Sequence, residues 1–277
     1  MITDPIWISE AAAVGFDFPG FEGVEVGALL SPFRAAEFSF GGETVSTTSP
    51  VKIGALLTPL SYRPPTLWDR LSEIEIYMPE GVWFAVSEDK AIAGANRFAI
   101  ETETGWEIIG VADIRLIDAQ SYRLKTLLRG LNNSDDMMMP VIPAGARIVA
   151  LDTGLANLPI DEDFIGQDLE IAVTAGGRSG VAGQVNYRAA HLRPLSIVHL
   201  NSEAVGEETR LSWIPRNLNN AESPDPATQV EISWPGGAIT TSESAAQLPI
   251  TSGSGTLVTL TPIDPIGGAG APKTILI

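Results

Sequence analysis

In Glu73-Ile74-Glu75-Ile76-Tyr77-Met78 the residues Ile74, Ile76 and Met78 fall on one side of the chain and Glu73 and Glu75 on the other. A repeat of two gives an extended strand one apolar and one wet face, which no helix achieves with this spacing. The same alternation recurs along the sequence, separated by Pro, Gly, Asn and Ser, so the chain reads as all-β. One short helix is expected to begin after Ser87, where Ser87 can cap, Glu88 and Asp89 sit at the positive end of the dipole and Gly94 gives a stop.

Pro79-Glu80-Gly81 reads as a turn after the first strand, with Val82-Trp83-Phe84-Ala85-Val86 returning as a second, more buried strand of a hairpin. From Trp106 to Arg129 the pattern is clearest. Trp106, Ile108, Ala112, Ile114 and Leu116 share one face, Asp118-Ala119-Gln120-Ser121 breaks the run, and Tyr122, Leu124, Thr126 and Leu128 then alternate with Arg123 and Lys125. Further strands are expected over 146–151 and 168–174, separated by an acidic loop, and after them over 209–213, 229–234 and 255–261.

These signals divide the chain into three parts. Residues 1–45 form a strand-rich segment that is too small and too glycine-rich to bury Trp7, Phe16, Phe18 and Phe21 by itself, so it is expected to pair with a partner subunit. Residues 46–192 form a β-hairpin-rich central domain. Residues 193–277, with an inward Trp213 on an early strand, have the spacing of a fibronectin-III or immunoglobulin-like β-sandwich, and the stretch from Asn217 to Pro226 reads as a long loop within it.

Composition removes several functions. The absence of cysteine excludes disulfides, thiolate metal centres and cysteine nucleophiles. A formal net charge of −17 argues against wrapping nucleic acid or docking on an anionic membrane. No run approaches the roughly 20 apolar residues that span a bilayer, and Met1-Ile2-Thr3-Asp4-Pro5 lacks the basic start of an export signal.

Few residues are candidates for chemistry. Asp161-Glu162-Asp163 with Asp168, and Asp135-Asp136, offer oxygens to a hard cation but lack the alternating register of a calcium loop. His191 and His199 are too few for a histidine-based metal site. Ser179 lies in no nucleophile elbow, and Gly176-Gly177-Arg178-Ser179-Gly180 has neither the lysine nor the following helix of a phosphate loop, so it reads as a mobile loop. Trp83, Trp106 and Trp213 read as core on alternating strands rather than as a sugar-stacking platform. Arg129-Gly130 reads as structural, with the arginine forking onto a carboxylate such as Asp113 or Asp118. Met137-Met138-Met139-Pro140 reads as a soft apolar tip, packed within the chain or against a partner. No residue is assigned a catalytic, cofactor-binding or metal-ligating role, no cofactor is expected, and the chain reads as non-enzymatic.

Several blocks occur in a telling order: Gly94-Ala95-Asn96, Trp106-Glu107-Ile108-Ile109-Gly110, Tyr122 to Gly130, Pro143-Ala144-Gly145-Ala146-Arg147, Arg193-Pro194-Leu195-Ser196 to His199-Leu200, and Leu211-Ser212-Trp213-Ile214-Pro215-Arg216. Over about residues 50 to 216 the chain resembles the C-terminal region of the gene transfer agent tail hub protein, megatron. The resemblance implies a structural component of the baseplate or tail-tip hub of a long-tailed particle such as a siphophage, located in the virion. It also implies a homotrimer around the tail axis, with other baseplate and hub proteins and the distal tail protein as partners. The family's TIM-barrel-like domain lies upstream of the region matched, so a glycosidase-like activity is not implied. Where the family has a Gln-x-Gly-Thr turn, this chain has Leu131-Asn132-Asn133-Ser134. The alternative reading is a carbohydrate-binding module at the tail tip that contacts the glycans of the host envelope; a glycan hydrolase stands third.

Overall fold

A strand with a continuous apolar run must be covered on both faces, and Ile108-Ile109-Gly110-Val111-Ala112 is such a run. The computed structural model, which describes residues 13–19, 21–30, 33–65, 67–216 and 229–277, shows how both faces are covered. The chain opens with strands β1 (Ala13–Phe16), β2 (Val24–Ala28), β3 (Ala36–Phe40) and β4 (Glu43–Ser46). Then come β5 (Ile53–Leu56), β6 (Leu60–Ser61), β7 (Trp68–Tyr77), helix α1 (Glu88–Ile92) and β8 (Arg97–Thr102). These are followed by β9 (Gly105–Leu116), β10 (Ser121–Leu131), β11 (Val141–Ile142) and β12 (Arg147–Ala150). Finally, β13 (Ala156–Leu158), β14 (Asp168–Ala175) and β15 (Arg178–Asn186) finish the first of two compact units, Met1–Ala190.

Within this unit β10-β7-β5-β12-β8-β9 close into a barrel. Its interior is filled by Ile74, Ile76, Met78, Phe98, Ile100, Ile109, Val111, Tyr122, Leu124 and Leu127 among others. The strands before and after the barrel make two further sheets, β1-β2-β13 and β15-β14-β3-β4. These lie against each other closely enough that a Cβ at Gly15 would stand 2.9 Å from Val185 and 3.1 Å from Ile171. The barrel is therefore inserted into a second β-layered body. The two chain passes that join them are held together: Ser49 Oγ donates to the Thr153 carbonyl at 2.7 Å, and Lys52 pairs with Asp152.

The N-terminal segment differs from expectation. β2 pairs with β13 and β3 pairs with β14, so strands from residues 1–45 are completed by the same chain rather than by a partner. The aromatic residues bury themselves on the outer wall of the barrel: Phe16 and Phe18 stack at 4.9 Å and meet the Trp106 ring edge-on at 5.3 and 5.2 Å, joined by Ala99, Ile108 and Val149. The sequence concealed this because the covering surface belongs to strands some 90 residues downstream. Trp7 lies outside the described residues.

The β9–β10 hairpin forms as expected, with Leu124 opposite Ile114. Its faces are less regular than simple alternation predicts. Thr126 takes a left-handed φ of 54°, and the pairing of β10 with β7 slips there, so Leu127 rather than Leu128 enters the core. Leu116 ends the strand exposed. Helix α1 also forms as read, with Ser87 Oγ accepting the Lys90 N–H at 3.4 Å.

Val82–Val86 is not a strand. It crosses the barrel as an irregular segment in which Trp83 packs on Phe98 at 4.9 Å while Val82 and Phe84 point outward, each 70% exposed. The Val86 N–H donates to the Ala112 carbonyl and Asn96 Nδ2 donates to the Phe84 carbonyl. β7 takes β5 and β10 as its partners instead, which leaves no ladder for a returning strand. The Ala175 to Gly180 stretch is likewise no mobile loop: Gly176 and Gly177, with φ of 57° and 76°, make a tight two-residue turn, and Arg178, Ser179 and Gly180 belong to β15.

The second unit, His191–Ile277, contains β16 (Val198–Val205), β17 (Glu208–Ile214), β18 (Gln229–Trp234), β19 (Gly237–Thr241), β20 (Ala245–Leu248), β21 (Leu257–Asp264), β22 (Gly268–Ala269) and β23 (Lys273–Leu276). One sheet runs β16-β17-β20; the other runs β19-β18-β21, with β22 and β23 both pairing with β21. This is the A-B-E and C′-C-F-G order of a fibronectin-III-like sandwich, the fold class expected for 193–277. Trp213 fills its centre with Leu211, Ile232, Leu248, Val258 and Leu260. The expected loop from Asn217 to Pro226 lies outside the described residues.

Two outcomes follow from this packing. Trp213→Ala should destabilise the second unit by about 3 to 5 kcal/mol, read as an earlier urea transition. Phe18→Ala should loosen β1 and β2 from the barrel wall and make residues 13–30 newly sensitive to limited proteolysis, whereas the wild-type chain should resist cleavage there.

Candidate functional site

The most unusual chemistry in the fold is a fully buried charge pair, Arg129 with Glu107. Arg129 stands on β10 at an irregularity: Leu128 faces Gly110 but Leu131 faces Ile108, so β10 holds one extra residue across Arg129-Gly130. Gly130 supplies the left-handed φ of 60° that the bulge needs, and any Cβ there would stand 3.0 Å from Asp135 and Met138. The bulge directs Arg129 inward, where its side chain is fully buried.

There the guanidinium forks onto Glu107 of β9, with Nε donating to Oε1 at 2.5 Å and Nη2 donating to Oε2 at 2.8 Å. Nη1 donates to the Ser61 carbonyl of β6 at 3.0 Å, and the Gly130 N–H also reaches Glu107 at 3.4 Å. The fork was expected, but its partner is Glu107, not Asp113 or Asp118. Asp113 instead takes Arg115, and Asp118 caps its own turn through the Gln120 and Ser121 N–H groups. A buried acid within an apolar strand gave no local sign that it would be the partner.

Asp69 lies beside this pair, 4.0 Å from Arg129. Burial alone would push its carboxyl up, but the Ser72 side chain, the Ser72 and Leu71 N–H groups and the Arg129 charge hold it below its ordinary value. The turn that follows Gly130 is fastened to the same place. Ser134 Oγ accepts the Ile108 N–H at 2.8 Å and donates to the Leu131 carbonyl at 2.6 Å, while Asn132 and Asn133 adopt left-handed φ values of 54° and 64°. Met137 is buried and Met139 packs on the barrel core, so the methionine run is used within the chain. The arrangement ties β6, β9 and β10 into one rigid end of the barrel.

The other sequence candidates are not brought together. Asp161 caps a short 3-10 turn by accepting the Asp163 N–H, Glu162 and Asp163 belong to that turn, and Asp168 accepts from Asn186. Asp135 and Asp136 begin another 3-10 turn. His199 sits at a bulge in β16, its carbonyl accepting from Asn201. Among the described residues no group of three or more His, Asp or Glu is arranged to hold a metal ion.

The tryptophans divide unevenly. Trp213 is buried, but Trp106, expected in the core, is half-buried, because its outer face is covered by the guanidinium of Arg147 at 5.4 Å rather than by a further apolar layer. Lys52 lies over Trp83 at 5.8 Å and Arg70 over Trp68 at 5.9 Å. Trp68, Trp83, Trp106 and Trp234 are half-buried, and Trp213 is buried. Exposed apolar residues include Val82, Phe84 and Ile92 on the excursion between β7 and β8, and Leu67 and Leu71 around the start of β7.

A family model described as Rcc01698-like, C-terminal, matches residues 51–149. That span coincides with the barrel from β5 to β12 and includes Arg129, Glu107 and Asp69. No curated protein matches the chain. Among solved structures, the chicken CNTN1 FN1-FN3 domains align with 8% identity over 96% of this chain and 97% of that one, at a TM-score of 0.23. The fold described above rests on strand order and not on that alignment.

Removing one partner from a buried pair leaves the other charge uncompensated. Glu107→Gln and Arg129→Met should each cost about 3 to 5 kcal/mol, measured by denaturant unfolding, and Arg129→Lys should not restore wild-type stability, because lysine keeps the charge but lacks the fork. The Asp69 prediction concerns acid. A carboxyl depressed in the folded state adds stability that is present above its unfolded pKa and is lost as pH falls through the folded one. Asp69→Asn should therefore flatten the loss of stability below about pH 4, followed by the urea midpoint as a function of pH.

Proposed function

We propose that this protein is a structural component of the baseplate or tail-tip hub of a gene transfer agent or long-tailed phage, serving tail assembly and host contact in the virion. The observation that carries the reading is the coincidence of the Rcc01698-like match with one closed barrel. The sequence blocks that resemble a tail hub, from Gly94-Ala95-Asn96 to Arg147, lie in the same span. A rigid insert ending in a buried arginine fork suits a part whose work is to hold geometry under load. In this reading the exposed Val82 and Phe84 face neighbouring baseplate proteins, the hub assembles as a trimer, and the chain turns over no substrate.

The test is to remove the gene from a producing strain and image the particles. Tails should lack their tip, and the wild-type gene should restore it; particles with intact tips would overturn the reading. Purified chain incubated with peptidoglycan or envelope polysaccharide should release no product, and release that disappears on mutating one acidic pair would make it an enzyme instead.

A further inference from the structure

A polar group created inside a packed apolar contact must find hydrogen bonds or force the contact apart, and methionine is a side chain on which such a group can be made after folding. Met137-Met138-Met139 follows the β10 bulge closely in sequence, and its three side chains are not equivalent. Met137 is buried, with its Sδ 2.9 Å from the Cβ position of Gly105. Met139 is half-buried and packs on the barrel core. Met138 is also half-buried, and its Sδ stands 3.0 Å from the Cβ position of Gly130, the glycine of the bulge. Met78 is buried in the barrel interior.

The Met138 sulfur thus occupies the room that a side chain at Gly130 would need. Asp135 Cα and Cβ crowd the same position, also at 3.0 Å. The main chain around the sulfur is already tied down. The Gly130 N–H reaches Glu107, Ser134 Oγ joins the Ile108 N–H to the Leu131 carbonyl, and Met138 itself ends the 3-10 turn of Asp135–Met137 in an extended conformation. The sulfur cannot withdraw without moving either that turn or the bulge.

We propose that Met138 is an oxidation site for peroxides, at which conversion of the thioether to the sulfoxide loosens the Arg129–Gly130 bulge and with it the end of the barrel. A sulfur lone pair attacks one peroxide oxygen as the O–O bond breaks. Sulfur is oxidised by two electrons, the peroxide is reduced, and with hydrogen peroxide a proton shift leaves water. The new oxygen is a hydrogen-bond acceptor in a place that supplies few donors: Gly130 has no side chain, its N–H already reaches Glu107, and an ionised Asp135 carboxylate only accepts. Reduction of the sulfoxide restores the thioether, so the change is reversible. The site does not depend on the tail-tip reading.

The experiment exposes the full-length chain to a graded series of hydrogen peroxide, with peptide mass mapping, urea unfolding and amide hydrogen exchange on the same samples. In wild type, Met138 should gain an oxygen ahead of Met78, Met137 and Met139. The urea midpoint should fall, and exchange at the Ile108 and Gly130 amides should rise by roughly tenfold or more, as expected for one unsatisfied acceptor in a packed site. Methionine sulfoxide reductases with a thiol reductant should return the midpoint and the exchange rates to their starting values. Met138→Leu conserves volume and should keep its midpoint and its exchange rates through the same series. Earlier oxidation of Met78, Met137 or Met139, an oxidised Met138 with unchanged exchange, or a Met138→Leu chain that loosens as much as wild type would each overturn the proposal.

Discussion

The Arg129–Glu107 fork is the interaction on which the end of the barrel depends, because it supplies the polar contacts for a bulge that could not otherwise be buried. The extra residue on β10 breaks the regular ladder and leaves main-chain groups without strand partners. Glu107 answers part of this through the Gly130 N–H, and Arg129 in turn reaches the Ser61 carbonyl of β6. A buried pair of this kind is weak evidence for net stability, since desolvation offsets much of the attraction. Its value is in specifying geometry: a planar fork fixes both partners at once.

β9 extends that constraint to the rest of the first unit. Glu107, Ile109 and Val111 serve the barrel, while Trp106 and Ile108 serve the layer formed with Phe16 and Phe18. One strand thus belongs to two cores, and a change that tilts β9 is felt in both. The inserted barrel and the surrounding sheets are consequently coupled through a shared wall as well as through the paired chain passes at Lys52 and Asp152.

Charge is distributed unevenly over this frame. Most of the 17 Lys and Arg fall between Lys52 and Arg147, where they fork onto Glu101 and Glu107, bridge to Glu73 and Glu88, or cover tryptophan rings. The acidic excess lies mainly on the flanking sheets, where Asp161 and Asp168 act as caps and turn anchors. The exposed pairs contribute little individually. Cations also lie over half-buried tryptophan rings, Arg147 over Trp106, Lys52 over Trp83 and Arg70 over Trp68.

Local chemistry made much of this legible in the sequence. The alternation in Glu73 to Met78, the β9–β10 hairpin, the Ser87 cap and the inward Trp213 follow from strand pleat, turn residues and helix-end hydrogen bonds, all of which act over a few residues. Arg129 was legible as a structural arginine beside a glycine that allows a turn, whereas the structure makes Gly130 part of a bulge within β10. The tertiary structure alone decided the rest. Glu107 as its partner, the burial of Phe16 and Phe18, the exclusion of Val82–Val86 from the sheet and the face reversal at Thr126 all depend on which distant strand lies alongside. Period two fixes that a strand has two faces; only the neighbours it meets in three dimensions decide which face is wet, or whether either one is.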